Sequence, residues 1–412
     1  MKSIAGVCSA IEALLVALVV LCSAPAQAHG EKAQQPALRM RSVHWFDVTM
    51  STVKLKVNDE LVVKGKFIPS KAWPEHVASI EGTAFLNIGV PGPSFVRLDS
   101  RVNGVPMIRS TAFVRGELYE FEVRLKARTP GRYHVHPLLN VKDAGPMIGP
   151  GIWVEVHGNQ ADFKNTVKTL FGQELDLESY GFKETATWSA LWFVVGLAWF
   201  GYWLTKVPLI LPRFRRATEL GENADDMITT ADRRMALTML VLTLGLIAGG
   251  FIYASERWPI TTPLQTGKIE TPLLVREPSP VLVRMDDARY RIPGRSFRIA
   301  LTVTNRGTSP LVIGEFASGN LRFINAAVHK VLPKDADDLV APDALRIEGG
   351  AVQPGETRQI VIYADDALWE TQRMTTMISS PDAVVAGMLF FFDAQGRRHA
   401  VEISGPMIPL FG

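Results

Sequence analysis

The chain has 412 residues and a formal net charge of +3 at pH 7. Such a small net charge provides no general attraction to nucleic acid, so nucleic acid is excluded as an expected partner. The two cysteines, Cys8 and Cys22, both precede residue 28. If that first segment is removed, the mature chain has no thiol, which excludes disulfides and type 1 blue-copper sites.

Residues 1–28 have the layout of a secretory signal peptide. Lys2 precedes a run from Ile11 to Leu21 that is apolar except for Glu12, and small residues then end in an A-x-A pattern at Ala28. Cleavage after Ala28 leaves a chain long enough for two domains and makes His29 its first residue. A terminal histidine offers one metal ion both its free α-amine and its ring nitrogen.

Residues 29–157 predict a first β-domain. Apolar and polar residues alternate at 53–57 and at 119–125, and turns separate these runs, as at Pro130-Gly131. Several short alternating strands with turn signals between them are typical of a β-sandwich or a small barrel.

Two segments predict transmembrane helices. After a linker at 158–184, residues 185–205 contain no charged side chain, and neither do residues 235–255. Each run is long enough to cross a bilayer at about 1.5 Å per residue. The loop between them, 206–234, carries several basic residues beside the membrane ends: Lys206, Arg213, Arg215, Arg216, Arg233 and Arg234. By the positive-inside rule this loop is cytoplasmic, which agrees with export of the first domain by a signal peptide.

Four tryptophans in the first predicted span and two glycines in the second each have more than one interpretation. Four tryptophans share one face of the first span, at positions 188, 192, 199 and 203. This face is either a surface that meets partner helices or one that anchors in the membrane interface and contacts lipid. Gly245 and Gly249 in the second span have a spacing that allows close helix packing, although such pairs often have no role.

A second β-domain is predicted at 281–412, after a proline-rich linker at 256–280. Alternation recurs at 297–303 and 359–363, and the continuous apolar run 388–392 suits a buried strand. The whole chain is therefore expected to be mainly β, with two strand-rich domains joined by a two-helix transmembrane hairpin.

The candidate metal ligands are His29, His134 and His136. Side chains two apart on a strand project from the same face, so the imidazoles of His134 and His136 point the same way. Together with the amine and ring of His29 they form a set of nitrogen ligands that favours copper. Zinc is the rival metal, but zinc has no redox chemistry.

At this point the sequence resembles the B subunit of particulate methane monooxygenase, a family that includes ammonia monooxygenase and related hydrocarbon monooxygenases. The resemblance extends over the mature chain and is carried by segments 29–32, 38–41, 85–87, 91–93, 130–136, 145–151 and 389–393.

The resemblance implies two periplasmic cupredoxin-like β-sandwich domains and a copper centre held by His29, His134 and His136. It also implies assembly with A and C subunits, typically as a trimer of heterotrimers, in a bacterial inner or intracytoplasmic membrane. Such a complex hydroxylates methane, ammonia or short alkanes with O₂ and two electrons. Because a site in the C subunit is the stronger candidate for oxygen activation in that family, no catalytic residue is assigned in this chain.

A second copper site is present in some relatives, and the resemblance transfers it to His44 and His399. The companion histidine of those relatives is replaced here by Ile68. Two other functions stay open: a periplasmic copper carrier without its own oxidation chemistry, and a structural scaffold whose metal site is vestigial.

Overall fold

The computed structural model describes residues 34–169, 171–206, 210–259, 267–275, 278–292, 296–329, 339–380 and 382–411. The predicted signal peptide at 1–28 and the candidate ligand His29 lie outside the described residues. The chain divides into two compact units. One comprises the residues up to Phe163 together with those from Gly267 onward, and the other comprises Lys164–Thr266.

The first β-sandwich follows a short helix, α1 (Pro36–Arg41). Its strands are β1 (Val43–Met50), β2 (Lys54–Lys56), β3 (Glu60–Pro69), β4 (Ala84–Gly89), β5 (Phe95–Val102), β6 (Val105–Pro106), β7 (Tyr119–Ala127), β8 (Gly131–Val141), β9 (Gly145–Ile148) and β10 (Ile152–His157). One sheet has the order β1-β3-β7-β5-β6 and the other the order β2-β10-β8-β4, with β9 added to β8.

Alternating apolar residues build the core of this sandwich. Along β7, Tyr119, Phe121 and Val123 are buried and their neighbours are more exposed. They pack in one cluster with Val135 and Leu139 from β8 of the facing sheet. The period-two pattern of the sequence therefore places one face of each sheet inward.

The second β-sandwich has the same two-layer design. Its strands are β13 (Val281–Ile292), β14 (Ser296–Asn305), β15 (Leu311–Ser318), β16 (Leu321–Ile324), β17 (Val340–Ala341), β18 (Leu345–Glu348), β19 (Thr357–Asp365), β20 (Val384–Asp393), β21 (Arg398–Pro406) and β22 (Ile408–Phe411), with a short helix, α5 (Leu368–Thr371), before β20. The sheet orders are β18-β19-β14-β13-β22 and β17-β16-β15-β20-β21. The prediction of a mainly β chain is confirmed.

Strand β20 is buried on both faces, which explains its continuous apolar sequence. Leu389 and Phe391 point into the core of the second sandwich. Met388 and Phe390 instead pack with Ile68 of the first sandwich. An apolar residue is therefore needed at every position, because alternation appears only where one face meets water.

Two long helices belong to the other unit: α2 (Phe182–Leu204) and α4 (Thr230–Arg257). Both are long and apolar enough to cross a membrane. A short helix, α3 (Ile210–Leu220), and a 3₁₀ segment, Gly221–Met227, lie between them. The predicted linker before α2 contains a small hairpin of β11 (Thr166–Lys168) and β12 (Glu174–Asp176).

The two long helices meet at a glycine other than the predicted pair. A Cβ at Gly250 would lie 3.2 Å from the indole of Trp188. Around Gly245 and Gly249 nothing within the described part of the chain approaches a Cβ position to 4 Å. Trp188 therefore packs on the second helix, and Gly245 and Gly249 present an open face.

Candidate metal centre

Strand β8 holds the imidazoles of His134 and His136 against each other. Val135 between them is fully buried in the core, so the two histidines project from the opposite face. Their ring centroids lie 4.3 Å apart, and the rings are nearly perpendicular. His136 is buried and His134 is half-buried. The predicted convergence of this pair is therefore present in the structure.

Both rings pack directly against Gly151. A Cβ at this position would lie 2.5 Å from Cε1 and 2.6 Å from Nε2 of His134, and 2.7 Å from Cε1 of His136. Real Cβ atoms do not approach so closely, so only glycine fits here without movement of the rings. The two rings therefore occupy the room that a side chain at position 151 would take.

The surroundings orient the two rings. Nδ1 of His136 lies 3.3 Å from the carbonyl oxygen of Gly149. Because a carbonyl only accepts, this contact favours the tautomer with the proton on Nδ1, and the lone pair is then on Nε2. The ring of His134 lies 4.8 Å from that of Trp153, its cross-strand neighbour on β10. Contacts within the same sandwich therefore orient both imidazole rings.

The beginning of the described chain is attached beside this pair. The side-chain amide of Gln34 donates to the carbonyl of Pro146 at 3.0 Å, and its oxygen accepts from the N–H of Ile148 at 3.2 Å. Ile148 is on β9 and pairs with Leu138, two residues along β8 from His136. His29 is five positions before Gln34 in sequence.

Histidine and acidic side chains do not form a cluster of three or more suited to a metal within the described part of the chain. The pair on β8 thus brings together two of the three predicted ligands. The third predicted ligand, His29, belongs to the residues outside the described ranges.

His44, a candidate for the second site, has a carboxylate neighbour that the sequence did not reveal. Its Nε2 lies 3.4 Å from Glu402 on β21. The same carboxylate accepts from the Ser70 hydroxyl at 2.7 Å and from the Lys71 N–H at 2.8 Å. Burial alone would raise the pKa of Glu402, but the contacts with His44, Ser70 and the Lys71 N–H together lower the pKa below its ordinary value.

His399, the other candidate, has a different neighbour. Its Nε2 lies 3.8 Å from Asp393, and it is three residues from Glu402 on β21. Residues an odd number apart on a strand project to opposite faces, so His399 and Glu402 point apart. The structure therefore places His44 beside Glu402 and places His399 beside Asp393. No local pattern marks Glu402, because its partners lie more than 300 residues away in sequence.

Comparison with known proteins decides the family. The sequence model of the monooxygenase B-subunit proteins matches residues 30–411. The chain belongs to this monooxygenase B-subunit family. The predictions of the family and of a role as an oxidoreductase subunit are thereby confirmed, and a subunit implies partner subunits.

One relative and two solved structures illustrate the similarity. The "Particulate methane monooxygenase alpha subunit" of Methylococcus capsulatus is 42% identical over 398 residues, which are 96% of this chain and 95% of the relative. The cupredoxin domain of amoB from Nitrosocaldus yellowstonii is 20% identical, with a TM-score of 0.24, over 30% of this chain and 91% of that domain. The human ASH/PapD-like domain of CEP192 is 12% identical, with a TM-score of 0.17, over 36% of this chain and 99% of that domain.

Proposed function

We propose that this member of the monooxygenase B-subunit family is the copper-binding component of a membrane complex that hydroxylates methane, ammonia or a short alkane with O₂. His29, His134 and His136 are its copper ligands. The observation that carries this proposal is the imidazole pair on β8, whose two rings lie together and pack against Gly151. The methane monooxygenase relative supports the reaction class.

The distance from Gln34 supports a role for His29. Five residues of extended chain span at most about 17 Å. Ile148, which donates to Gln34, pairs with Leu138 on β8. His136 is two residues from Leu138, or about 7 Å along the strand. The reach of the segment is thus long enough for the amine and ring of a terminal His29 to meet the pair.

The ligand set supports copper. A terminal amine and three imidazoles are nitrogen donors, and divalent copper binds such donors more tightly than the other first-row metals do. Copper bound there would supply one-electron redox chemistry, which zinc would not. Neighbouring residues of this chain orient the two imidazoles. The carbonyl of Gly149 favours the Nδ1–H tautomer of His136, and Trp153 packs beside His134. We assign no catalytic residue in this chain.

The proposed setting is a complex with A and C subunits in a bacterial inner or intracytoplasmic membrane. Helices α2 and α4 cross the bilayer, and the basic loop between them faces the cytoplasm. Both sandwiches then lie on the periplasmic or lumenal side, where the signal peptide delivers them. The trimer of heterotrimers is part of this proposal.

Moving the amino terminus tests the ligand assignment. An alanine retained ahead of His29 separates the α-amine from the ring, so the two no longer chelate one ion. We expect bound copper per purified complex to fall sharply in this variant and in His134→Ala. His157→Ala, which alters an exposed histidine of the same sandwich, is the matched control and should keep its copper. Full copper content in the extended chain would refute the terminal ligand.

Purification and respiration separate the remaining alternatives. A copper carrier would be isolated without two hydrophobic partner subunits, whereas the proposed subunit stays with them through detergent extraction. A scaffold with a vestigial site would keep its turnover in His134→Ala. Substrate-dependent O₂ uptake by membranes, compared between methane and ammonia, assigns the substrate.

A further inference from the structure

The short helix α3 between the two spans has an apolar face and a cluster of cations. Leu211 and Phe214 are three residues apart, so they share one face, and their exposed fractions are 63% and 68%. Between Lys206 and Arg216 the sequence has four cations and no acidic residue: Lys206, Arg213, Arg215 and Arg216. The acidic residues of the loop follow later, beginning at Glu219. Apolar and cationic groups are therefore concentrated in the same short segment.

Helix α3 is attached to the ends of both spans through Arg213. The guanidinium of Arg213 donates to the carbonyl of Met227 and lies 5.6 Å from the centroid of the Trp203 ring. It is also 3.9 Å from the carboxylate of Asp232. Trp203 is in the last turn of α2 and Asp232 is in the first turn of α4. The helix is thus held at the depth where the two spans end.

The other two arginines of α3, Arg215 and Arg216, are placed to bind an external anion. Lys206 lies 2.9 Å from Asp232, so the acid at the helix junction already has cations beside it. Arg215 and Arg216 are exposed, and Arg215 flanks the face formed by Leu211 and Phe214. Long arginine side chains can reach from an apolar boundary to charged groups above it.

We propose that α3 lies in the membrane interface and binds anionic phospholipid. Leu211 and Phe214 insert among the acyl chains, and Arg215 and Arg216 bind lipid phosphate groups. An amphipathic helix with a basic polar face is suited to this position, and anionic lipid attracts basic segments beside a membrane. The alternative occupant of this face is a partner protein. The bilayer is favoured because it is the apolar phase at the ends of α2 and α4, and because its phosphates complement the cations. The proposal is independent of the copper assignment.

The depth of α3 can be measured directly because the mature chain has no cysteine. Leu211→Cys and the control Glu219→Cys, each spin-labelled in the intact complex, are reconstituted in phosphatidylcholine with and without phosphatidylglycerol. Unsubstituted complex labelled in parallel provides the background. We expect the label at 211 to collide more with lipid-soluble O₂ than with an aqueous nickel chelate, and the label at 219 to show the reverse. Protection of the label at 211 from both O₂ and the nickel chelate would show that a protein covers this face. Equal collision of both labels with the nickel chelate would show that the face lies in water. Either result would overturn the proposal.

The charge component is tested with Arg215→Gln combined with Arg216→Gln. We expect the preference for phosphatidylglycerol over phosphatidylcholine, measured by lipid analysis of the purified complex, to fall roughly fivefold for each arginine neutralised. Glu219→Gln is the matched control, since it removes a charge from the same helix without removing a cation, and its preference should not fall. The variants keep Arg213, so the attachment of α3 stays intact. An unchanged preference in the double variant would refute binding by these arginines.

Discussion

The guanidinium of Arg39 donates a 2.9 Å hydrogen bond to the main-chain carbonyl of Gly319, although the two residues are 280 positions apart. A second 2.9 Å bond runs from Arg39 to the carbonyl of Gln372. Arg39 belongs to α1, before the first sandwich, and both acceptors belong to the second. Met40, the next residue, is buried in the core of the second sandwich. The segment 34–41 is thus attached to the second sandwich as well as to β9.

Arg39→Ala is expected to destabilise the two packed sandwiches. The substitution leaves two buried carbonyl groups without this charged donor, at a cost of about 3 kcal/mol. Urea unfolding of the detergent-solubilised chain measures the effect. Arg115→Ala, which removes an exposed ion pair with Glu81, is the control and should cost at most about 1 kcal/mol. Equal effects of the two substitutions would contradict the role of Arg39.

Gly151→Ala is expected to weaken copper binding without removing a ligand. The new methyl group would lie 2.5–2.7 Å from atoms of His134 and His136, so the rings must turn away. Changes around metal ligands typically reduce affinity by about 10- to 100-fold, and a loss in this range should appear in a competition titration with a copper chelator. Gly82→Ala is the control, because its nearest neighbour is the carbonyl of Ser79. Undiminished affinity in Gly151→Ala would show that the rings need no space there.

Tyr290 makes the second sandwich sensitive to alkali. Burial, with a smaller contribution from Glu370, raises the pKa of Tyr290 to about 12. An unfolded tyrosine has a pKa of about 10, so above that pH the unfolded chain binds fewer protons than the folded chain. Stability therefore falls as pH rises, by roughly 1.4 kcal/mol for this group at about pH 11.

Urea unfolding followed by circular dichroism at about pH 9 and about pH 11 checks this prediction. The loss of stability between these pH values should be smaller in Tyr290→Phe, since phenylalanine has no proton to lose. The same loss in both chains would assign the alkaline sensitivity to other groups.

Asp232 joins the two long helices α2 and α4 at the end where the loop between them begins. Its carboxylate accepts from the Tyr202 hydroxyl at 2.6 Å and from the Thr229 N–H at 2.8 Å, and Lys206 lies 2.9 Å away. Asp232→Ala breaks a buried ion pair and removes the capping box of α4, so we expect a loss of about 3 kcal/mol.

Thermal unfolding in detergent, followed by the helical signal, measures this effect. Glu219→Ala, an exposed acid in the same loop, should change stability by no more than about 0.5 kcal/mol. A melting temperature that is the same in Asp232→Ala as in the unsubstituted chain would contradict the structural role of the carboxylate.

Local patterns in the sequence were sufficient for much of the fold. Alternation at 297–303 predicted β14, whose buried residues alternate throughout, because a strand with one face in the core needs an apolar residue at every second position. The uncharged runs 185–205 and 235–255 lie within α2 and α4 apart from Thr205. Their length is the one that bilayer thickness sets for a spanning helix. The convergence of His134 and His136 likewise followed from strand geometry alone.

Contacts between distant residues were decided only by the tertiary structure. Nothing near Gly151 in sequence shows that its missing side chain makes room for the imidazoles of His134 and His136 on β8. Glu402 beside His44, and Arg39 on the second sandwich, join residues hundreds of positions apart. Periodicity records which face of an element is buried, whereas the partner on that face depends on how the sheets pack. The sequence by itself therefore determined the elements and the direction of the two imidazoles on β8, and the packing of the two sandwiches decided what surrounds them.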